Sequence, residues 1–131
     1  MNFEKEGIVS AWYSTTDYSS IPDSYFEEDE QGLDRWAKNF DISQYNPDNL
    51  ETNGCEKGVS SIRNIIAPCS WSSSYGDAII KKIEKMGDKQ ISWLILVFDF
   101  EYRAKKTHLF EDEYVHFVGC FPYDMEAANL A

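Results

Sequence analysis

The run Ile91-Ser-Trp-Leu-Ile-Leu-Val-Phe-Asp-Phe-Glu-Tyr102 constrains the fold more than any other stretch of the chain. It is too short, and too closely followed by charge, to cross a membrane. It is also rich in the β-branched and aromatic side chains that suit a pleated, buried surface, and it reads as the central strand of a sheet. Period-two alternation places Leu94, Leu96, Phe98 and Phe100 on one face and Trp93, Ile95 and Val97 on the other, so both faces need covering layers. A second strand, Tyr114-Val-His-Phe-Val-Gly-Cys-Phe121, is expected beside it as an antiparallel neighbour, joined by an excursion through Arg103 to Glu113. Gly7 to Tyr13 supplies a third strand, with Ile8, Ser10 and Trp12 facing one way and Val9, Ala11 and Tyr13 the other.

The covering layers are written as helical patterns. Leu33, Trp36, Ala37 and Phe40 recur at the spacing of one apolar helix face. Tyr75 to Met86 is the clearest helix: Tyr75, Ile79, Ile83 and Met86 share a face, Ser72 to Ser74 offer caps, and Gly87 stands where a left-handed residue ends a helix. Ser20 before Ile21 and Pro22 marks the start of a short helix carrying Tyr25 and Phe26, and Asn46 with Pro47 starts another anchored by Leu50. Glu51 to Gly58 is loop by composition. Val59 to Ala67 is open between strand and helix, with the helix presenting Ile62, Ile65 and Ile66 preferred. The expected fold is a single α+β domain, residues 1–131, with a mainly antiparallel sheet and helices packed on it.

Charge narrows the partners. Against 12 Lys and Arg stand 23 Asp and Glu, a net charge of −11, which repels phosphate backbones and anionic lipid. Neither nucleic acid nor membrane is expected as a partner, and a basic protein approached by electrostatic steering is favoured. The chain opens without the charged and then apolar regions of a signal peptide, so a cytoplasmic location is expected. Cys55, Cys69 and Cys120 lack any CxxC pair and read as buried thiols rather than as a disulfide or zinc framework.

An enzyme would need a constellation of groups, and only loose ingredients are present. His108 and His116 stand at a spacing that fits no helical metal pair. Asp99 and Glu101 could form a carboxylate pair or hold a cation, or mark where one strand face leaves the core for water. There is no GxSxG elbow, phosphate loop, HExxH or dinucleotide turn. No catalytic residue, metal or cofactor is therefore expected. Glu111 to Glu113 read as pairing with Arg103 to Lys106 across the connection.

What remains is an acidic surface with many aromatic groups. The run Glu27, Glu28, Asp29 and Glu30 has two uses: stabilising the N-terminal end of the following helix, or contacting a partner. The candidate partner-binding residues are Tyr18, Tyr25, Glu27, Glu28, Asp29, Glu30, Glu111, Asp112, Glu113 and Tyr114, chosen because aromatics amid carboxylates suit an interface with a basic protein.

Several strings, in order along the chain, carry a resemblance: Val9-Ser-Ala-Trp12, Tyr25-Phe-Glu-Glu-Asp-Glu30, Trp36-Ala-Lys-Asn-Phe-Asp-Ile42, Cys69-Ser-Trp-Ser-Ser-Ser-Tyr75, Val97-Phe-Asp-Phe-Glu-Tyr102 and Val118-Gly-Cys-Phe-Pro-Tyr-Asp124. Together they are similar to the immunity protein 22 family of bacterial polymorphic toxin systems, whose members lie beside toxin genes. The resemblance implies a small cytoplasmic α+β protein, not an enzyme, that binds and neutralises a cognate toxin domain. The family supplies no toxin-contact residues, so the candidates above rest on charge. The polar stretch Glu51 to Ser61 is longer than the family pattern. Two other classes stand beside this reading: an acidic mimic of nucleic acid or general binding module, and a small hydrolase using Asp99, Glu101 and a histidine.

Overall fold

The computed structural model describes residues 2–130. The chain runs β1 (Glu4–Ser14), α1 (Arg35–Asn39), β2 (Leu50–Gly54), β3 (Ser60–Ser61), α2 (Ile62–Ile66), α3 (Gly76–Lys85), β4 (Gln90–Ile91), β5 (Trp93–Phe100), α4 (Ala104–Thr107) and β6 (His116–Pro122), with short 3-10 turns between. Four strands form an antiparallel sheet in the order β2, β5, β1, β6, while β3 and β4 pair separately. The α+β class expected from the patterning is the class observed.

The order of the sheet corrects one expectation. β5 and β6 are not neighbours: β1 lies between them, with Ala11 opposite Leu96 on one side and Gly119 on the other. The reason is burial. Val9 to Ser14 are all buried, which only an interior strand allows, whereas β6 is half-exposed and ends in Pro122, a residue suited to an edge.

A second correction concerns Glu51 to Gly54, read as loop, which with Leu50 forms the other edge strand. Its composition is polar because an edge strand is only partly covered. Gly54 lies so close to β5 that a Cβ there would meet the Trp93 Cβ at 2.4 Å and the Ser92 carbonyl oxygen at 2.7 Å.

Phe100 is the third correction. Leu94, Leu96 and Phe98 share a face as alternation requires, but Phe100 packs on the opposite one with Trp93, Ile95 and Val97. Asp99 adopts φ 56°, an accessible but uncommon conformation for Asp, and the register shifts there against β1. The irregularity is tied in place: the Gly7 amide, at φ 81°, donates to Asp99 Oδ1 at 2.9 Å. Beyond it, the buried Ser10 Oγ donates to the Phe100 carbonyl at 2.6 Å and accepts from the Tyr102 amide at 2.9 Å.

The helices follow their patterns with shifted ends. α1 starts after Asp34, whose side chain accepts from the Ala37 amide at 2.8 Å, so Leu33 lies outside the helix. α2 settles the ambiguity after Val59 in favour of helix, with Ser61 as its cap and Ile62, Ile65 and Ile66 buried. Ser72 to Ser74 do not cap α3; they form a 3-10 turn of their own, and the cap position, Tyr75, makes no side-chain bond. Met86 falls past the end of α3 and is exposed. Tyr25 and Phe26 ride a single 3-10 turn, Asp23–Phe26, rather than a helix starting at Ser20. Asn46 caps a 3-10 turn with Pro47 in its first position, as expected.

Candidate partner-binding face

The aromatic side of the sheet carries most of the candidate residues, with Glu111 instead beside His116 and Tyr13 on the aliphatic side, and its cover is made of loops and turns. Trp36 of α1 and Phe40, the residue that ends it, bury against Trp12 of β1, with Trp36 edge-on at 5.0 Å between ring centroids. Beside them Tyr25 is completely buried, its ring edge-on to Tyr114 at 5.3 Å and to Trp93 at 6.3 Å. A buried phenol needs an acceptor, and Tyr25 Oη donates to Asp112 Oδ2 at 2.6 Å. Asn39 Nδ2 donates to the same oxygen at 2.9 Å, and Asp112 Oδ1 accepts from the amides of Tyr114 and Val115. Burial, with the bond to Asp112, pushes the Tyr25 phenol far above its ordinary range.

Asp112 thus ties α1, the turn at Tyr25 and the loop at Tyr114 into one unit. Tyr25 and residues 112–114, distant in sequence, are brought together here. Arg35 completes the junction, its guanidinium 5.7 Å above the Tyr114 ring and paired with Glu113.

Asp29 has a comparable structural task. Its carboxylate accepts from the amides of Gln31 and Leu33 at 2.8 and 3.0 Å and pairs with Lys38. The hydrogen bond from Lys38, with those amides, holds its pKa down to about 2. The helix-end role offered for the acidic run therefore belongs to Asp34, which caps α1, while Asp29 closes the turn before it.

The candidates divide. Tyr25 offers no surface and is framework. Asp29, Asp112 and Tyr114 are half-buried and bonded as described. Glu27, Glu28, Glu30, Glu111 and Glu113 are exposed, and Tyr18 is 50% exposed, edge-on to Trp93 at 5.6 Å. Glu27, Glu28 and Glu30 form no ion pair among the described residues. Arg35, Lys38 and Asn39 belong to this face and were not among the candidates. Their signal lay in α1 itself, where they occupy the side opposite Trp36, Ala37 and Phe40.

The ingredients of an enzyme do not converge. Asp99 accepts from the Gly7 amide and from Tyr123 Oη at 2.6 Å, whereas Glu101 pairs with Lys5 and Arg103. His116 lies 3.0 Å from Glu111 and against the Tyr13 ring, while His108 is exposed where α4 ends. The expected pairing of Glu111 to Glu113 with Arg103 to Lys106 does not form; Arg35 and His116 take those carboxylates. The three cysteines are free, and burial pushes the Cys69 thiol up to about 12. No group of three or more His, Cys, Asp or Glu among the described residues could hold a metal ion. No helix among them is long and apolar enough to cross a membrane.

The geometry defines an α+β domain whose aromatic framework carries exposed carboxylates at Glu27, Glu28, Glu30 and Glu113. A family model described as Immunity protein 22 matches residues 9–124, and the chain belongs to that family. Its role, in general terms, is that of an immunity protein. No curated protein and no solved structure matches the chain.

Proposed function

We propose that this chain binds and neutralises a cognate toxin domain, without catalysis of its own, by laying Glu27, Glu28 and Glu30 with Tyr18, Glu113 and Tyr114 over a basic surface of that toxin. The observation that carries the reading is the state of the three glutamates: exposed, without counter-ions among the described residues, and mounted beside a turn fixed by the half-buried Tyr25–Asp112 bond. The backbone that carries them is held before docking by the bonds of the turn at residues 29–33, which lowers the ordering cost of binding. A nuclease is the fitting class of toxin, because a surface that grips a phosphate backbone must be positive. An interface of about 1,600 Å² in total would cover it.

The test has two arms. In growth rescue, cells expressing the toxin domain from the neighbouring gene survive with this chain and not with an unrelated protein of equal charge; rescue by both would point to mimicry of nucleic acid instead. In association kinetics, the triple variant Glu27→Lys, Glu28→Lys, Glu30→Lys lowers the on-rate by about tenfold or more, with the off-rate changed less, and wild-type association slows as salt rises. An on-rate indifferent to salt and to the variant would remove the acidic face from the mechanism.

A further inference from the structure

The acidity of the chain is not uniform. Where the end of α3 meets α4 and β6, a groove of about 780 Å³ is rimmed by Lys82, Arg103, Lys105 and Lys106. Its apolar lining includes Met86, Phe110, Phe117 and Val118. Phe110 is 53% exposed and Met86 40%, so two of the large apolar side chains left on the surface converge here. Lys82, Lys105 and Lys106 form no ion pair among the described residues. Glu101, the one carboxylate lining the groove, is engaged by Lys5 and Arg103, each at 3.6 Å.

One wall of the groove is a sheet edge. Phe117, Val118, Gly119 and Cys120 are consecutive in β6 and all border the cavity. Side chains of consecutive strand residues point to opposite faces, so a cavity bordered by four in a row runs along the strand's edge. β6 is the terminal strand of the sheet, and on its outer side the Phe117 amide is taken by the Phe110 carbonyl at 2.8 Å. Past that bond no described strand pairs with its outer side. Gly119 carries no side chain to stand in the way of an approaching backbone.

We propose that this groove binds an extended segment of a partner protein that carries a large apolar side chain next to carboxylates, laid along the outer edge of β6. The occupant's chemistry follows from the groove. The apolar floor takes an aromatic or aliphatic anchor, the lysines and Arg103 take its carboxylates, and the free strand edge takes its backbone. A nucleic acid or an anionic membrane would answer the cations but not the floor or the edge. The groove adjoins residues 111–114 at Phe110 but shares no lining residue with the acidic face, and either can fail without the other.

Selection from a displayed library of random short peptides against the full chain tests the proposal. Enriched sequences are expected to place Phe, Trp or Leu beside Asp or Glu. Binding of a synthetic enriched peptide, followed by fluorescence anisotropy, falls by about tenfold or more in Lys105→Glu/Lys106→Glu and in Phe110→Ser, substitutions at exposed positions, and stays unchanged in the Glu27/Glu28/Glu30 triple variant. The backbone amide resonances of Val118 to Cys120 shift on binding. Absence of enrichment, enrichment of basic peptides, or binding that survives both groove variants would overturn the proposal. So would a self-associated form in sedimentation that Phe110→Ser dissolves, or groove-dependent binding of duplex DNA or phosphatidylserine vesicles, where no peptide binds.

Discussion

The two faces of the sheet are covered in different ways. On one, Val9, Ala11, Leu94 and Leu96 lie beneath α2 and α3, which contribute Ile62, Ile65, Ile66, Ile79 and Ile83. On the other, Trp12, Trp93 and Val97 lie beneath α1, turns and loops, which contribute Tyr25, Trp36, Phe40 and Tyr102. Regular helices present branched aliphatic side chains at fixed spacing, and these need no polar partner. Irregular segments span larger gaps with rings, and each phenol must find an acceptor: Tyr25 at Asp112, Tyr45 at Asp34, Tyr102 at the Leu109 carbonyl. Two of those acceptors are carboxylates, Asp112 half-buried and Asp34 buried. The aliphatic side closes its phenols on acceptors as well, Tyr13 on Asp88, Tyr75 on the Ser70 carbonyl and Tyr123 on Asp99; the difference is that α2 and α3 themselves bring only aliphatic side chains to the core, whereas Tyr25 and Tyr45 hold the cover of the aromatic side through carboxylates.

The sharpest way to break that comparison is a large truncation on each side. Trp36→Ala should destabilise by about 4 kcal/mol and Ile79→Ala by about 3 kcal/mol, the usual costs of emptying such core positions; denaturant unfolding measures both. The difference that matters is local. Trp36→Ala removes a ring that supports Trp12, Phe26 and Tyr45, so it should also raise amide exchange in residues 25–30 and 111–114 and weaken toxin binding. Ile79→Ala should leave those amides and the on-rate unchanged. Equal effects of the two on the acidic face would show that the faces act as one core.

Tyr25→Phe comes next. It keeps the ring and removes one donor from Asp112, which retains Asn39 and two backbone amides. The expected cost is about 1.5 kcal/mol, typical for a hydrogen bond to a charged group, with a smaller loss of on-rate than the glutamate variants give. No loss of stability would mean that Asn39 and the two amides hold the loop alone.

Parts of this division are legible in the sequence. Period-two runs expose β1, β5 and most of β6, and the 3.6-residue spacing of Ile79 and Ile83 or of Trp36 and Phe40 exposes the helices. The position of β1 between β5 and β6 is not legible, since it pairs segments far apart in sequence and leaves no local trace. β2 was hidden because an edge strand needs little apolar surface, and Phe100 changed face because a single Asp99 in a left-handed conformation resets the alternation. At the candidate face the charge of Glu27 to Glu30 is plain in the sequence. The burial of Tyr25 and the use of Asp112 as a knot are not, because both depend on α1 arriving beside a loop more than 70 residues away in sequence, as the Asn39–Asp112 bond shows.

The smallest effect tests whether the acidic run is itself divided between support and contact. Asp29 has its pKa lowered to about 2 from an ordinary 3.8, first by the hydrogen bond from Lys38 and then by the amide of Leu33. A depressed carboxylate stabilises the fold above its unfolded pKa and loses that contribution as the pH falls through its folded one. The turn at residues 29–33 should therefore remain closed at pH 4 and open as the pH approaches 2. In Lys38→Ala the Asp29 midpoint, read from its carboxyl resonance, should move up toward 3.8, and opening should begin at correspondingly higher pH. The melting temperature at neutral pH should change little, since the ion pair is exposed to solvent. A midpoint that stays near 2 without Lys38 would assign the depression to the backbone amides, making the turn rather than α1 the element that holds Asp29 apart from Glu27, Glu28 and Glu30.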